Sequence, residues 1–307
     1  MKEMLNKNNL LKAAGVMAIY VAVRLLMNGG VIDSYIFLNI VTIGINIILA
    51  VSLNLITGYT GQFSLGHAAF MAIGAYASGI LTTKLDLPFI VGILGAALIA
   101  ALAGVLIGAP TLRLKGDYLA IATLGFGEIV RIIGLNWDYG GGAMGLNDIP
   151  RYTTWTWLFG LVVVTILVIS NFIHSYNGRA VISIKEDEIA SASMGVNTSY
   201  YKVLVFSIGA LFAGVAGALY ANYFYFIKPD SFGFMKSVDI LVFVVMGGLG
   251  SIRGSVISAI ALTLLSVSLQ GIPELRMVLY AVILFVMMVY KPQRILGKFR
   301  SLIRKEA

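Results

Sequence analysis

The chain has 307 residues, 59% of them hydrophobic and 12% charged, with a mean hydropathy of +0.92. Soluble domains carry about 25% charged residues, so this composition excludes a pair of soluble domains and indicates one all-α, polytopic membrane domain over 1–307. The absence of cysteine removes disulfides, thiolate metal sites and cysteine nucleophiles together. The net charge of +8 lies at the ends of apolar runs, where it reports membrane topology and not a nucleic-acid-binding face.

Lys2, Lys7 and Lys12 precede the first apolar run, as they would in a signal peptide. No small-x-small cleavage site follows and Arg24 interrupts the end of the run, which favours a retained first span. Apolar segments follow at 10–28, 35–56, 66–83, 88–109, 118–135, 155–174, 202–226, 236–250, 253–270 and 275–290. A straight crossing needs about 20 residues. The segments 66–83, 118–135 and 236–250 are the weakest, being short or broken by glycine, so two or three of the ten are expected to be broken or re-entrant. Such segments are tolerated only where protein buries them or where they line a cavity, and in transporters they lie near the substrate path. With the N-terminus in the cytoplasm, ten crossings place 15 Lys and Arg on the cytoplasmic side and seven outside, the expected bias. The tail 291–307 supplies six of the 15, which puts the C-terminus in the cytoplasm as well.

The run Gly58-Tyr59-Thr60-Gly61-Gln62-Phe63-Ser64-Leu65-Gly66-His67 is the most unusual local sequence. Glycine permits close backbone approach and positive φ. Gln62, Ser64 and His67 could satisfy backbone groups freed by an irregular turn, or meet a polar solute. A tight inter-helix turn explains the run equally well, and a hydrogen-bonded structural role is the better reading of His67 alone. Ala96, Ala100, Gly104 and Gly108 recur at four-residue spacing, the signature of closely packed membrane helices. Glu128 sits inside an apolar segment with Arg131 three residues on, a spacing that allows an internal ion pair. The loop 136–154 is rich in glycine and flanked by Trp137, Tyr139, Trp155 and Trp157, which read as interfacial belt residues.

Residues 179–202 are the longest polar stretch and predict a short capped helix over 183–195. Ser183 serves as N-cap with Glu186 three residues on, a capping box. Glu186, Asp187 and Glu188 suit the positive end of a helix dipole, and Gly195 is a natural stop. Gly209, Ala213 and Gly217 repeat the small-residue spacing, and Gly247 to Gly254 is glycine-dense again, a loose echo of the run at 58–66. Gly248 and Gly250 therefore join Gly61, Gln62, Ser64, Gly66, His67 and Glu128 as candidates for the translocation path. Gly140-x-Gly142-x-x-Gly145 fits a dinucleotide fingerprint, but no βαβ unit surrounds it. No G-x-x-x-x-G-K-[ST] run occurs, so the chain has no phosphate-binding loop of that kind for ATP.

The runs GYTGQFSLGHAAFMAIGAYA (58–77), RLKGDYLAIATLGFGEIVR (113–131), IKEDEIASASMGVN (184–197), GALFAGVAGALYA (209–221) and VVMGGLGSIRGSVISA (244–259) resemble the permease subunits of bacterial branched-chain amino acid ABC importers, of the LivM type. The resemblance covers a core over 35–290. It implies a second permease subunit, two cytoplasmic ATP-binding subunits that carry ATP and Mg, an extracytoplasmic substrate-binding protein, and a multi-pass location in the bacterial plasma membrane among lipid. It implies no cofactor on this chain and no enzymatic activity. It also makes 179–202 the cytoplasmic loop that couples to the ATPase. Coupling loops of such importers carry an E-A-A-x-x-x-G pattern; here Glu188 is followed by Ile189 and Ala190 and Gly195 stands seven residues on, a loose match that carries over no further than Glu188, Ala192 and Gly195. The same broad family moves urea and short amides, which leaves the solute open. An ion-coupled secondary transporter would need more intramembrane carboxylates than Glu128 and Asp239, and an intramembrane enzyme would need paired carboxylates or a nucleophile-His-carboxylate set that the sequence does not present.

Overall fold

The structure is a computed structural model that describes residues 7–30, 32–111 and 116–269, with residues 278, 282 and 285 singly. The apolar segment 275–290, those single residues aside, and the basic tail 291–307 lie outside the described residues. Among the described residues the regular structure is helical, with one isolated antiparallel bridge between Leu146 and Ile227. The helices are α1 (Lys7–Asn28), α2 (Ser34–Leu53), α3 (His67–Thr83), α4 (Phe89–Thr111), α5 (Asp117–Asn136), α6 (Trp155–His174), α7 (Tyr176–Glu186), α8 (Glu188–Ser193), α9 (Thr198–Phe224), α10 (Phe234–Gly247) and α11 (Ile252–Ser268).

Five of these elements are long and apolar enough to cross a membrane: α2 with its extension to Tyr59, α4, α5, α6 and α9. The expectation of about ten segments is met only in part. Helix α5, expected to be weak, is continuous over 20 residues and qualifies. Helices α3 and α10, with 17 and 14 residues, are short, as their sequences predict. Short apolar helices need protein around them, and twelve of the 17 residues of α3 are buried.

Helix α9 is the centre of the bundle. It packs against α3 and α4 through small residues: the predicted Gly217 faces α3, and the predicted Ala96, Ala100 and Gly104 of α4 face Ala210 and Gly214, which the spacing does not single out. A Cβ on Gly214 would meet the backbone of Ala96 and the methyl of Ala100, and one on Gly217 would meet the backbone of Met71. Around this seam the rings close the core: Phe70 meets Phe206 edge-on at 5.5 Å and Phe126 at 5.3 Å.

The two ends of the bundle differ. At one end the segment 137–154 folds over 225–233, with Leu146 and Ile227 exchanging two hydrogen bonds of 3.0 Å and Ile149 N–H donating to Tyr225 O. Arg151 lies 4.5 Å over the Tyr223 ring and donates to the Tyr225 hydroxyl. Lys84 donates to the Tyr139 carbonyl and sits over its ring. At the other end stand α7, α8 and the glycine-dense turn between α10 and α11.

Candidate functional site

The polar stretch is two helices, not one. Ser175 opens α7, its hydroxyl accepting from Gly178 N–H at 3.3 Å. Ser183 is not an N-cap: it lies inside α7 and donates to the Ala180 carbonyl at 2.9 Å. The cap is Asp187, whose extended backbone (φ −155°, ψ 109°) breaks the chain and whose carboxylate accepts from Ile189 N–H at 2.9 Å and Ala190 N–H at 3.0 Å. The reason is local. Tyr176 to Ile182 already form helix, so Ser183 has helical residues behind it and bonds back to the preceding turn, while an anionic carboxylate suits a helix start better. Glu186 therefore ends α7, exposed, and closes no capping box. Glu188 opens α8 and pairs with Lys202 at 2.6 Å.

Gly195 ends α8 with φ +85°, and Gly195 N–H to Ala192 O and Val196 N–H to Ser191 O complete a Schellman motif. Ala192 is exposed on the same helix. Two residues that sequence reasoning passed over stand beside it: Ile189 is 73% exposed and Met194 is 85% exposed. Their signal was available, since bulky apolar residues inside a water-facing polar loop have little reason to be there unless something covers them.

The glycine run lies directly behind this helix pair. Helix α2 continues into a π-helical turn over Asn54–Tyr59, an irregularity frequent at functional sites. Gln62 N–H donates to Ile56 O at 3.2 Å as the chain leaves it. A Cβ on Gly61 would touch the Lys185 side chain of α7, and one on Gly58 would strike Asn54 and the backbone of Gly250. Gly250 N–H donates to Asn54 Oδ1 at 2.9 Å, and the space beside Gly250 holds Lys185 Nζ. The two glycine-dense runs thus meet each other, and Lys185 lies against both. Gly248 and Gly250 take φ of +87° and +85°, which accounts for glycine in that turn.

Deeper in the bundle the polar side chains of the run are enclosed, although Phe63 between them is 39% exposed. Gln62 is 4% exposed and neither its amide nitrogen nor its oxygen has a hydrogen-bond partner. Ser64 is buried, and Gly66 fits against the Thr123 carbonyl with no room for a side chain. Leu65 N–H donates to Thr123 Oγ1 at 3.0 Å. His67 begins α3, is fully buried, and its Nε2 meets Ser52 Oγ at 2.8 Å, while Nδ1 has no partner.

Glu128 does not join this group. Its partner Arg131 lies eight residues beyond Thr123 on α5, about 12 Å further along the axis. The Glu128–Arg131 pair forms at 2.8 Å and extends to Asp230, also at 2.8 Å. These three groups line a cavity of about 430 Å³ with Lys236 and Asp239 of α10. A second cavity of about 200 Å³ shares Lys236 and Asp239 and continues along Asn39, Thr42 and Asn46 of α2. Sequence reasoning missed this stripe, whose signal was Asn39, Thr42 and Asn46 recurring at helical spacing on a largely apolar span.

The profile of the family described as "Branched-chain amino acid transport system / permease component" matches residues 35–288. The chain belongs to this family. It is 37% identical over 295 residues to the high-affinity branched-chain amino acid transport system permease protein LivM of Escherichia coli, an alignment that covers 85% of this chain and 69% of that protein. It is 26% identical to the probable LivM permease of Methanocaldococcus jannaschii, over 81% of this chain and 89% of the relative. The Escherichia coli permease protein LivH is also similar, at 26% identity over 82% of this chain and 91% of that protein. No solved structure matches the chain. The family members are transport permeases, a role that fits a helical membrane chain without a phosphate-binding loop of its own.

Proposed function

We propose that this chain is the LivM-type subunit of an ATP-driven importer of branched-chain amino acids in a bacterial plasma membrane. It pairs with a second permease of LivH type, two cytoplasmic subunits bind and hydrolyse ATP with Mg, and an extracytoplasmic protein delivers the solute. The chain crosses the membrane as one domain with both termini and the α7–α8 end in the cytoplasm. Arg179, Lys185, Lys202 and Arg253 at that end support the orientation, since cytoplasmic loops carry the excess of Lys and Arg.

The observation that carries the reading is α8 itself. It caps its own ends, exposes Ile189 and Met194, and adjoins Lys185, which touches both glycine runs. An ATPase that grips α8 would move α7, and α7 would press on the 58–66 and 248–250 segments. Coupling therefore works through contact: nucleotide-driven closure of the ATPase pair shifts α7–α8 and rocks the spans between outward and inward access. The test is a pair of changes, Ile189→Glu with Met194→Glu, in the assembled importer. Leucine uptake should fall at least about tenfold, the loss of roughly 1.4 kcal/mol or more of coupling, while the chain stays in the membrane at normal amount. Normal uptake in that variant would put the docking surface elsewhere.

A further inference from the structure

The two polar cavities of the α10 end carry an inference that rests on the permease reading and goes beyond it. They lie side by side across Lys236 and Asp239, which line both, and together make a two-part hollow: a charged mouth at the start of α10 and an inner part between α2, α10 and α11. Among the described residues the mouth holds three carboxylates, Glu128, Asp230 and Asp239, and two cations, Arg131 and Lys236. The inner part is built, not incidental. Lys236 Nζ donates to Asn46 Oδ1 at 3.2 Å, and Asn46 Nδ2 donates to Thr263 Oγ1 at 3.0 Å. Asn46 is 4% exposed and Thr263 3%. Helix α10 begins in the mouth with Gly233 as its N-cap and no capping side chain, so its positive end faces the hollow beside Lys236.

We infer that this hollow is a binding station for a zwitterionic amino acid. The solute carboxylate meets Lys236 and the start of α10, and its ammonium meets Asp239. The side chain lies along the apolar part of the wall, Leu38, Phe243 and Val267. Size and charge both select this class. At about 200 Å³ the inner cavity is below the range of roughly 300 Å³ at which drug-sized pockets begin. A zwitterion brings one charge to each of the two groups that line both parts, its carboxylate to Lys236 and its ammonium to Asp239, whereas a monoanion or a monocation meets only one of them. The station also explains why polar residues persist on an apolar span: each gives a desolvated solute a partner for one of its charges.

The test uses the absence of native cysteine. Ser266 lines the inner cavity, so Ser266→Cys supplies a thiol there that is unique in this chain. The variant is assembled with its partner permease, ATPases and binding protein in lipid vesicles, and thiol modification of this chain is followed by mass. Leucine should slow modification at least about fivefold at saturation, as expected for an occupant that excludes the reagent. Isoamylamine and 4-methylpentanoate, each lacking one charged group, should slow it less than about twofold at the same concentration. Asp239→Asn in the same background should abolish protection by leucine. Unchanged modification with leucine present, in vesicles whose unsubstituted counterpart imports leucine, would overturn the station alone. Failure of the unsubstituted counterpart to import leucine would overturn the permease reading itself.

Discussion

Two polar interruptions of the same greasy chain end in opposite environments. Helices α7 and α8 keep their polar groups in the open and satisfy their own ends, through Ser175, Asp187 and the Gly195 turn. The run from Asn54 to His67 buries its polar groups and leaves Asn54 Nδ2, Thr57 Oγ1, both Gln62 side-chain atoms and His67 Nδ1 without partners. The first region is stable on local terms. The second depends on what surrounds it, because each buried unpaired polar atom costs about 1–3 kcal/mol. A surface loop is free to be gripped and moved, whereas a buried run holding unpaired groups stands close to rearrangement. Under the proposed coupling, the first region is the one gripped and the second the one that rearranges.

The sharpest break of this comparison is one substitution made in both regions. Gly66→Ala should destabilise by about 3 kcal/mol or more, an overpacking cost, because its Cβ would press into the Thr123 backbone although φ there is an ordinary −104°. The readout is the amount of monodisperse protein recovered in detergent, which should drop severely. Ser52→Ala comes next, at about 1–3 kcal/mol, because it takes the Ser52 hydroxyl from His67 Nε2 when Nδ1 already has no partner. A lowered melting temperature in detergent checks it, and an unchanged one would show that water fills the gap.

Gly195→Ala should cost about 1 kcal/mol, from the positive φ alone, since nothing lies within 4 Å of the added methyl. If Gly66→Ala and Gly195→Ala lowered stability equally, the contrast between the two regions would be wrong. Asp187→Ala should cost about 1 kcal/mol of local helix stability and speed amide exchange in 189–193. Ser183→Ala should stay within roughly 0.5 kcal/mol, because its hydroxyl only bonds back within α7. The reverse order for the last pair would restore the capping box read from sequence.

Much of the architecture is legible in the amino-acid order because it depends on neighbours three or four residues away. Low charge and long apolar runs specify a helical membrane chain. The four-residue spacing of small residues marks the face of α4 that α9 meets, at Ala96, Ala100 and Gly104, while on α9 the predicted Gly209 and Gly217 meet α2 and α3 instead; Glu128 and Arg131 pair at the separation that their positions allow. The Gly195 stop is local in the same way. The misplaced cap at Ser183 shows the boundary of such reasoning, since two residues of capping type four positions apart, Ser183 and Asp187, competed and the amphipathic turn before Ser183 decided between them.

Only the tertiary structure decided the rest. That Gly61 and Gly250, 189 positions apart, both touch Lys185 follows from how α2, α7, α10 and α11 end at one level of the bundle. That Asn46 meets Lys236 and Thr263 follows from three helices sharing one seam. Spacing along a chain fixes which face of a helix a residue occupies, but not which other face will come against it. The packing of the whole bundle makes that choice.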